Sequence, residues 1–548
     1  MQDRYFEVWL GKYTSAIDWT AAVMSTHVSS TLSSLSRSLS YTMPGTFDKS
    51  RKLDVEAQRV DNEINKYFAQ ISAYYFGEDH FAIRMQAFDD MLWVVLGWLE
   101  ATRFVQGHSV GHYAPNKARG REWHATQFVP AFAHRARIFY ELAEKGWDWR
   151  LCGGGMTWNP SLLPYKNAIT NQLFISASTS MYLHFAGDSN CSPFISQHGK
   201  SRPRGDQLYD DCDSKNRGRY DPVYLANALN AYNWLKESGM TNSQGLYVDG
   251  FHIGGYRTNH SKTTCDERNE MVYTYNQGVI LSGLRGLWEA TGETLYLEDG
   301  HELIQNVIRA TGWKKAEPSY TPYFTRVSQQ YKNNAAAAEE EDQDVLSNDW
   351  AGLGYNGILT ELCDPSGRCN QDAQTFKGIF FHHLTAFCDP LPSRPARPGR
   401  THAATREIAT LHDNSCRGYA AWVVYNAQAA LQTRDPEGKF GSWWGAPDIT
   451  SSSQSVSLHV PVLPENATDY RNIHAHSYDD AYMETDPETV PGWFGYEDEN
   501  ETTRRGNGDL NDRGRGRTVE TQGSGLAVVR AMWEFLKRVD GEGIDWDV

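Results

Sequence analysis

A chain of 548 residues, 40% hydrophobic and 22% charged, can bury a sizeable core. Its formal net charge of −16 lacks the basic surface that nucleic acid requires. The same charge disfavours anionic membranes and acidic polysaccharides, which leaves a neutral glycan as the easier partner.

Apolar residues recur at spacings of three and four along most of the chain, the period of amphipathic helices. Twelve helices are predicted, at 13–40, 54–75, 89–105, 127–145, 167–186, 221–238, 273–292, 295–312, 370–388, 401–413, 417–435 and 521–539. Two of these segments, YKNAITNQLFISASTSMYLHFAGD and YNQGVILSGLRGLWEATGE, resemble each other and stop at Gly187 and Gly292. Twelve helices in sequential pairs suggest an all-α fold, an (α/α)6 barrel, with a plain bundle or a solenoid as alternatives. One domain is expected over 1–548, with surface insertions near 331–348, 389–400 and 445–520. The first is acidic and alanine-rich, the second rich in Pro and Arg, the third polar and expected to be irregular and partly mobile.

Eight cysteines, an even number, suit disulfides in an oxidising compartment. Cys363 and Cys369 bracket a short loop and are the first pair expected; the partners of the other six are open. No CxxC pair occurs, so no metal site is expected, and no cofactor either. Four glycosylation triplets, at Asn190, Asn259, Asn466 and Asn500, point to the same secreted or cell-wall setting. The amino terminus MQDRYFEVWLGKYTS lacks the basic and apolar regions of a signal peptide, so a secreted chain would have had its leader removed. The last residues, GEGIDWDV, lack the hydrophobic tail of a GPI-attachment signal. No apolar run is long enough to span a bilayer, and a monomer is expected.

Four motifs carry chemistry. Asp89 and Asp90 open an apolar helix, where acids also serve as ordinary first-turn partners of the backbone amides and dipole. As catalysts they would flank a glycosidic bond, Asp89 kept ionised by the helix amides and Asp90 kept protonated by burial and its neighbour's charge. Cys152-Gly-Gly-Gly-Met-Thr-Trp158 permits close backbone approach and could set an indole against a sugar face, or be a tight turn with a core Trp. Tyr165, Lys166, Asn167 and Asn171 offer hydrogen bonds to sugar hydroxyls at the barrel mouth, with helix capping by Asn167 as the competing role. Tyr275, Asn276 and Gln277 combine a stacking face with donors and acceptors, though capping and core packing explain them too.

Taken in order, the Asp pair, CGGGMTW, YKNAITNQLF and TYNQGVILSGL make a chain that resembles glycoside hydrolase family 76. These are the endo-α-1,6-mannanases and fungal cell-wall relatives acting on the mannose core of GPI anchors. The likeness runs from about residue 80 to 312 and resumes at GILTELCDPSGRC. It implies an (α/α)6 barrel, retention of configuration without a metal, Asp89 as nucleophile and Asp90 as acid/base. It also implies a mannose-containing polysaccharide or oligosaccharide at Trp158, Tyr165, Lys166, Asn167, Tyr275, Asn276 and Gln277. A transglycosylase, a non-catalytic glycan-binding protein and another enzyme of the same barrel type remain alternatives.

Overall fold

The computed structural model describes residues 1–39, 55–113, 122–188, 218–314, 349–447, 461–472 and 509–540. Twelve longer helices lie among them. They are α1 Asp18–Ser38, α2 Val55–Gly77, α3 Phe88–His112, α4 Val129–Ala143, α5 Ala168–His184 and α6 Pro222–Glu237, then α7 Tyr275–Thr291, α8 Leu295–Ala310, α9 Gln371–Phe387, α10 Arg406–Gly418, α11 Ala420–Gln432 and α12 Val519–Asp540. Each falls on a predicted segment.

Six of them close a ring. α1 packs on α3, α3 on α5, α5 on α7, α7 on α9, α9 on α12, and α12 returns to α1. The other six lie outside: α2 on α1, α4 on α3, α6 on α5, α8 on α7, and α10 and α11 on α12. The chain is therefore an (α/α)6 barrel, since a solenoid would leave its end helices unjoined. Burial follows the layers. In α5, an inner helix, 15 of 17 residues are buried, whereas in the outer α10 only His412, Ser415 and Cys416 are.

Glycines let the inner helices approach closely. A Cβ built on Gly278 of α7 would lie 2.5 Å from the Cα of Phe380 in α9, and one on Gly286 2.6 Å from Thr179 of α5. On Gly378 of α9 it would lie 2.5 Å from the Cα of Ser524 in α12. The seams of the ring are thus set by missing side chains as much as by packed ones.

Of the helix boundaries that differ from expectation, two have identifiable reasons. α3 runs on to His112, because Ser36 of α1 receives His108 at 2.8 Å and His112 reaches the Ser36 carbonyl at 3.1 Å. α10 starts at Arg406 rather than 401, because Thr405 accepts the Ile408 amide and caps it.

The N-terminal ends of the inner helices meet at one end of the ring. Trp19 donates to Asp372 at 2.8 Å, Thr20 to Glu520 at 2.8 Å, and Gln371 to Glu520 at 3.1 Å. At the other end Arg37, Arg103, Arg285, Arg530 and Arg538 gather around Asp389. A three-stranded antiparallel sheet lies beside the acid-rich end: β1 Tyr165–Asn167, β2 Gly250–His252 and β3 Glu267–Asn269, in that order. Tyr165 stands opposite His252, and Asn167 opposite Gly250.

Cys363–Cys369 forms as expected, and Cys152–Cys265 and Cys388–Cys416 pair as well. The stretch 389–400 is an irregular exposed connector. The insertion at 331–348 lies outside the described residues, as do Cys191, Cys212, Asn190 and Asn500. Of the polar stretch 445–520, residues 445–447, 461–472 and 509–520 are described, irregular except for a turn of 3-10 helix at Leu510–Asp512 and the start of α12.

Candidate active site

α3 begins after Ala87, whose backbone is extended and whose side chain cannot cap. Its first amides find other partners. Phe88 N–H donates to the Trp158 carbonyl at 2.9 Å, and Asp90 N–H to Asp89 Oδ1 at 3.1 Å. The first-turn role read for the acids is therefore real, but it engages one oxygen of Asp89. The other, Oδ2, accepts Trp158 Nε1 and Arg471 Nη2, each at 3.1 Å. Asp89 is 1% exposed and Asp90 8%, so the second acid is the more accessible.

Their proton affinities separate. Burial raises the Asp89 carboxyl, and the charge and hydrogen bond of Arg471 oppose that rise. Asp90 is raised well above the usual carboxylate range, by burial first and then by the Asp89 charge, with the Arg471 charge opposing the rise. Two adjacent acids of unequal proton affinity are the pairing that acid/base chemistry on a glycosidic bond needs.

Trp158 is delivered by the glycine loop. Gly153, Gly154 and Gly155 have φ of 68°, 134° and 84°, and a Cβ on Gly155 would lie 2.6 Å from Trp234. Both the left-handed backbone and the space demand glycine there. Trp158 N–H then donates to the Tyr165 carbonyl at 2.9 Å, which ties the loop to β1.

β1 divides its residues between two faces. Tyr165 points toward the acids' side, donating to Asp249 Oδ2 at 2.5 Å and stacking on His252 with ring centres 4.1 Å apart. Burial pushes Asp249 up to about 6, against the Tyr165 hydrogen bond. Lys166 faces the opposite way: it is fully buried and donates to the Gly155 carbonyl at 2.5 Å. Asn167 is likewise taken up as the N-cap of α5, accepting the Thr170 amide at 3.3 Å. Asn171 is fully buried and clamps Met156, accepting its amide at 2.7 Å and donating to its carbonyl at 3.2 Å. Gln277 treats Tyr247 in the same manner, at 2.8 and 2.9 Å. Each of these four side chains is thus engaged with backbone groups.

Tyr275 and Asn276 do belong to the cluster. Tyr275 stacks on Phe376 with centres 3.8 Å apart, and the charges of Arg471, Asp249 and Asp89 act on its hydroxyl. Asn276 lies beside Asp249. The sequence reading missed Arg471, Asp249, His252 and Tyr470. Nothing marks Arg471 in the sequence, since it sits in an aperiodic polar stretch 382 positions from Asp89; Asp249, just ahead of β2 and opposite β1, would have needed the sheet pairing.

A closed helical ring bearing two unequal carboxylates at one end has the make-up that cleavage of a glycosidic bond requires. In comparison with known proteins, residues 217–317 match the family described as Glycosyl hydrolase family 76. That match contains the TYNQGVILSGL motif, and the resemblance read from the sequence stands with it. The chain is similar to two curated relatives, each described as mannan endo-1,6-alpha-mannosidase DFG5. The one from Saccharomyces cerevisiae is 23% identical over 264 residues, 46% of this chain and 39% of that protein. The one from Candida albicans is 21% identical over 331 residues, 59% of this chain and 55% of that protein. The chain thus spans about half the length, or less, of these relatives. Among solved structures it is similar to an inactive variant of the alpha-1,6-mannanase GH76A of Salegentibacter sp. HEL1_6 in complex with alpha-1,6-mannotetrose, with 14% identity, TM-score 0.45, and 97% and 96% of the two chains covered. It is also similar to Dfg5 from Chaetomium thermophilum in complex with glucosamine, with 12% identity, TM-score 0.45, and 95% and 81% covered.

Proposed function

We propose that this chain is a retaining glycoside hydrolase acting on α-1,6-linked mannose chains, of mannan or of a GPI-type core. The unequal setting of Asp89 and Asp90 at the start of α3 carries the reading. Asp89 takes three donors, two on Oδ2 and one on Oδ1, so the remaining lone pair on Oδ1 is the one free to attack. Oδ1 forms a bond to the anomeric carbon as the glycosidic bond breaks, and the leaving oxygen takes the bond's electron pair and the proton of Asp90. Asp90, now a carboxylate, takes a proton from water, and the resulting oxygen displaces Asp89 from the sugar. Retention follows from the family resemblance. One catalytic domain and action outside the cell complete the proposal, supported by the single helical ring and by the three disulfides.

The test compares wild type with Asp89→Asn and Asp90→Asn on linear α-1,6-mannooligosaccharides, following product anomers by NMR. The α-anomer should appear first. Each folded variant should lose at least ~10²–10⁴ in rate, the range of a general acid. Products extended by an added acceptor glycan would assign transfer instead of hydrolysis. Binding without turnover by the wild type would refute an enzyme of either kind.

A further inference from the structure

Arg471 reaches the acid pair from outside the helical ring. Its segment is anchored on both sides. Thr468 N–H donates to Asn269 Oδ1 at 2.8 Å, and Asn269 Nδ2 returns a bond to the Thr468 carbonyl at 3.0 Å. Tyr273 OH donates to Asp469 Oδ1 at 2.6 Å, and the Tyr470 hydroxyl lies 2.9 Å from His252 Nε2. Asn370 N–H donates to Asn472 Oδ1 at 2.7 Å. The backbone around Arg471 is thereby tied to β2, to β3 and to the segments leading into α7 and α9. Its guanidinium lies 3.1 Å from Asp89 Oδ2, 5.5 Å from the centre of the Trp158 ring, and is 16% exposed. Four carboxylates, Asp89, Asp90, Asp249 and Asp372, converge at this end of the ring, and the Arg471 charge acts on all of them.

We infer that Arg471 is a positioning residue for the reaction proposed above: it fixes Asp89 as the attacking anion and turns its Oδ1 toward the glycan. The inference rests on the hydrolase reading. Two fixed donors on one oxygen, the indole N–H and the guanidinium, leave the carboxylate no rotational freedom about its Cβ–Cγ bond. The guanidinium also lies over the indole, so ring, cation and carboxylate fix one another. Without the cation, Asp89 would share a water-poor site with three other acids and would hold its proton.

The experiment uses the full chain with Arg471→Met and Arg471→Lys, assayed on linear α-1,6-mannooligosaccharides across pH. Arg471→Met is expected to lose ~10²–10³ in kcat, as for removal of a preorganised donor, with KM nearly unchanged. The acidic limb of its kcat/KM profile should move up by ~1–3 pH units, the span of a lost opposite charge. Arg471→Lys should recover part of the rate, and added guanidinium ion part of that lost by the Met variant. A second readout needs no turnover: a thermal-denaturation double-mutant cycle of Arg471→Met with Asp89→Asn. The melting shifts should be non-additive at pH 7 and additive at pH 3, where Asp89 is protonated. Unchanged pH limbs, or additivity at both pH values, would overturn the inference. A Met variant faster than wild type would overturn it too, showing that Arg471 obstructs Asp89. If wild type cleaves no mannan while the cycle is non-additive, the hydrolase reading falls and the hold of Arg471 on Asp89 stands.

Discussion

The closeness of the inner helices makes the same substitution act in opposite directions at two positions. Gly→Ala inside a helix gains about 1 kcal/mol of propensity where the site is open. At Gly107, on the exposed side of α3, nothing lies within 4 Å of the new Cβ, so Gly107→Ala should be more stable than wild type by up to ~1 kcal/mol. At Gly278 the new Cβ would sit 2.5 Å from the Cα of Phe380, against the ~3.5–4.0 Å of ordinary carbon contact. The obstacle is backbone, which cannot swing aside, so α7 and α9 must part by about 1 Å. Overpacking of this kind costs ~1–3 kcal/mol, and a backbone obstacle belongs at the top of that range. Net of propensity, Gly278→Ala should be destabilised by about 2 kcal/mol, leaving the two variants ~3 kcal/mol apart. With ~2.1 cal/mol/K of unfolding entropy per residue over 548 residues, that separation is roughly 2.5 °C in melting temperature. Differential scanning calorimetry at one scan rate resolves it. Equal melting temperatures, or shifts of the same sign, would refute the argument that close backbone approach sets the ring.

Two further predictions concern pH. Burial pushes Lys166 down to about 8, so between there and its usual value near 10.5 the unfolded chain binds the extra proton and stability rises with pH. Lys166→Met should therefore lose that rise, seen as a melting-temperature difference from wild type that changes between pH 8 and 10.5; a constant difference would count against it. Glu361 is buried beneath Thr274, whose amide donates to it at 3.1 Å, and burial pushes it up to about 8. Its protonated form stabilises the fold fully below pH 4.5, and that contribution is lost as pH rises through 8. Glu361→Gln should gain on wild type steadily over this window, and parallel melting curves across it would refute the assignment.

The helices were legible because each needs only its own period, and α5 and α7 even announce their likeness. Closure of the ring was expected from the count of paired helices and from the family resemblance, not from periodicity, since the contact of α12 with α1 joins opposite ends of the chain. In the site, Asp89 and Asp90 were legible as a pair placed where helix amides converge. The amides nearby misled. Asn171 and Gln277 are the right chemistry for sugar, but each finds a backbone N–H and C=O of a neighbouring strand-like segment first. The burial of Lys166 was hidden for a different reason: in a strand, one step along the chain reverses the face. Arg471 depends on a tertiary encounter that no local pattern encodes.

The arrangement of charge along the ring has a consequence for how such a molecule can change. Asp18, Asp89, Asp90, Asp372 and Glu520 stand at the first turns of their helices, while Arg37 and Arg538 stand at the last. Backbone dipoles favour each at its own end. The interior is therefore polarised along its axis, and an acid's tolerance depends on its depth. A new carboxylate arising at the acid end joins neighbours whose proton affinity is already raised, whereas one arising at the floor meets arginines that hold Asp389 and Glu534 below the usual carboxylate range. A change of acid at the rim is thus a change in a proton donor, whereas at the floor it is a change in a fixed counter-ion: depth along the axis sorts what a carboxylate can do.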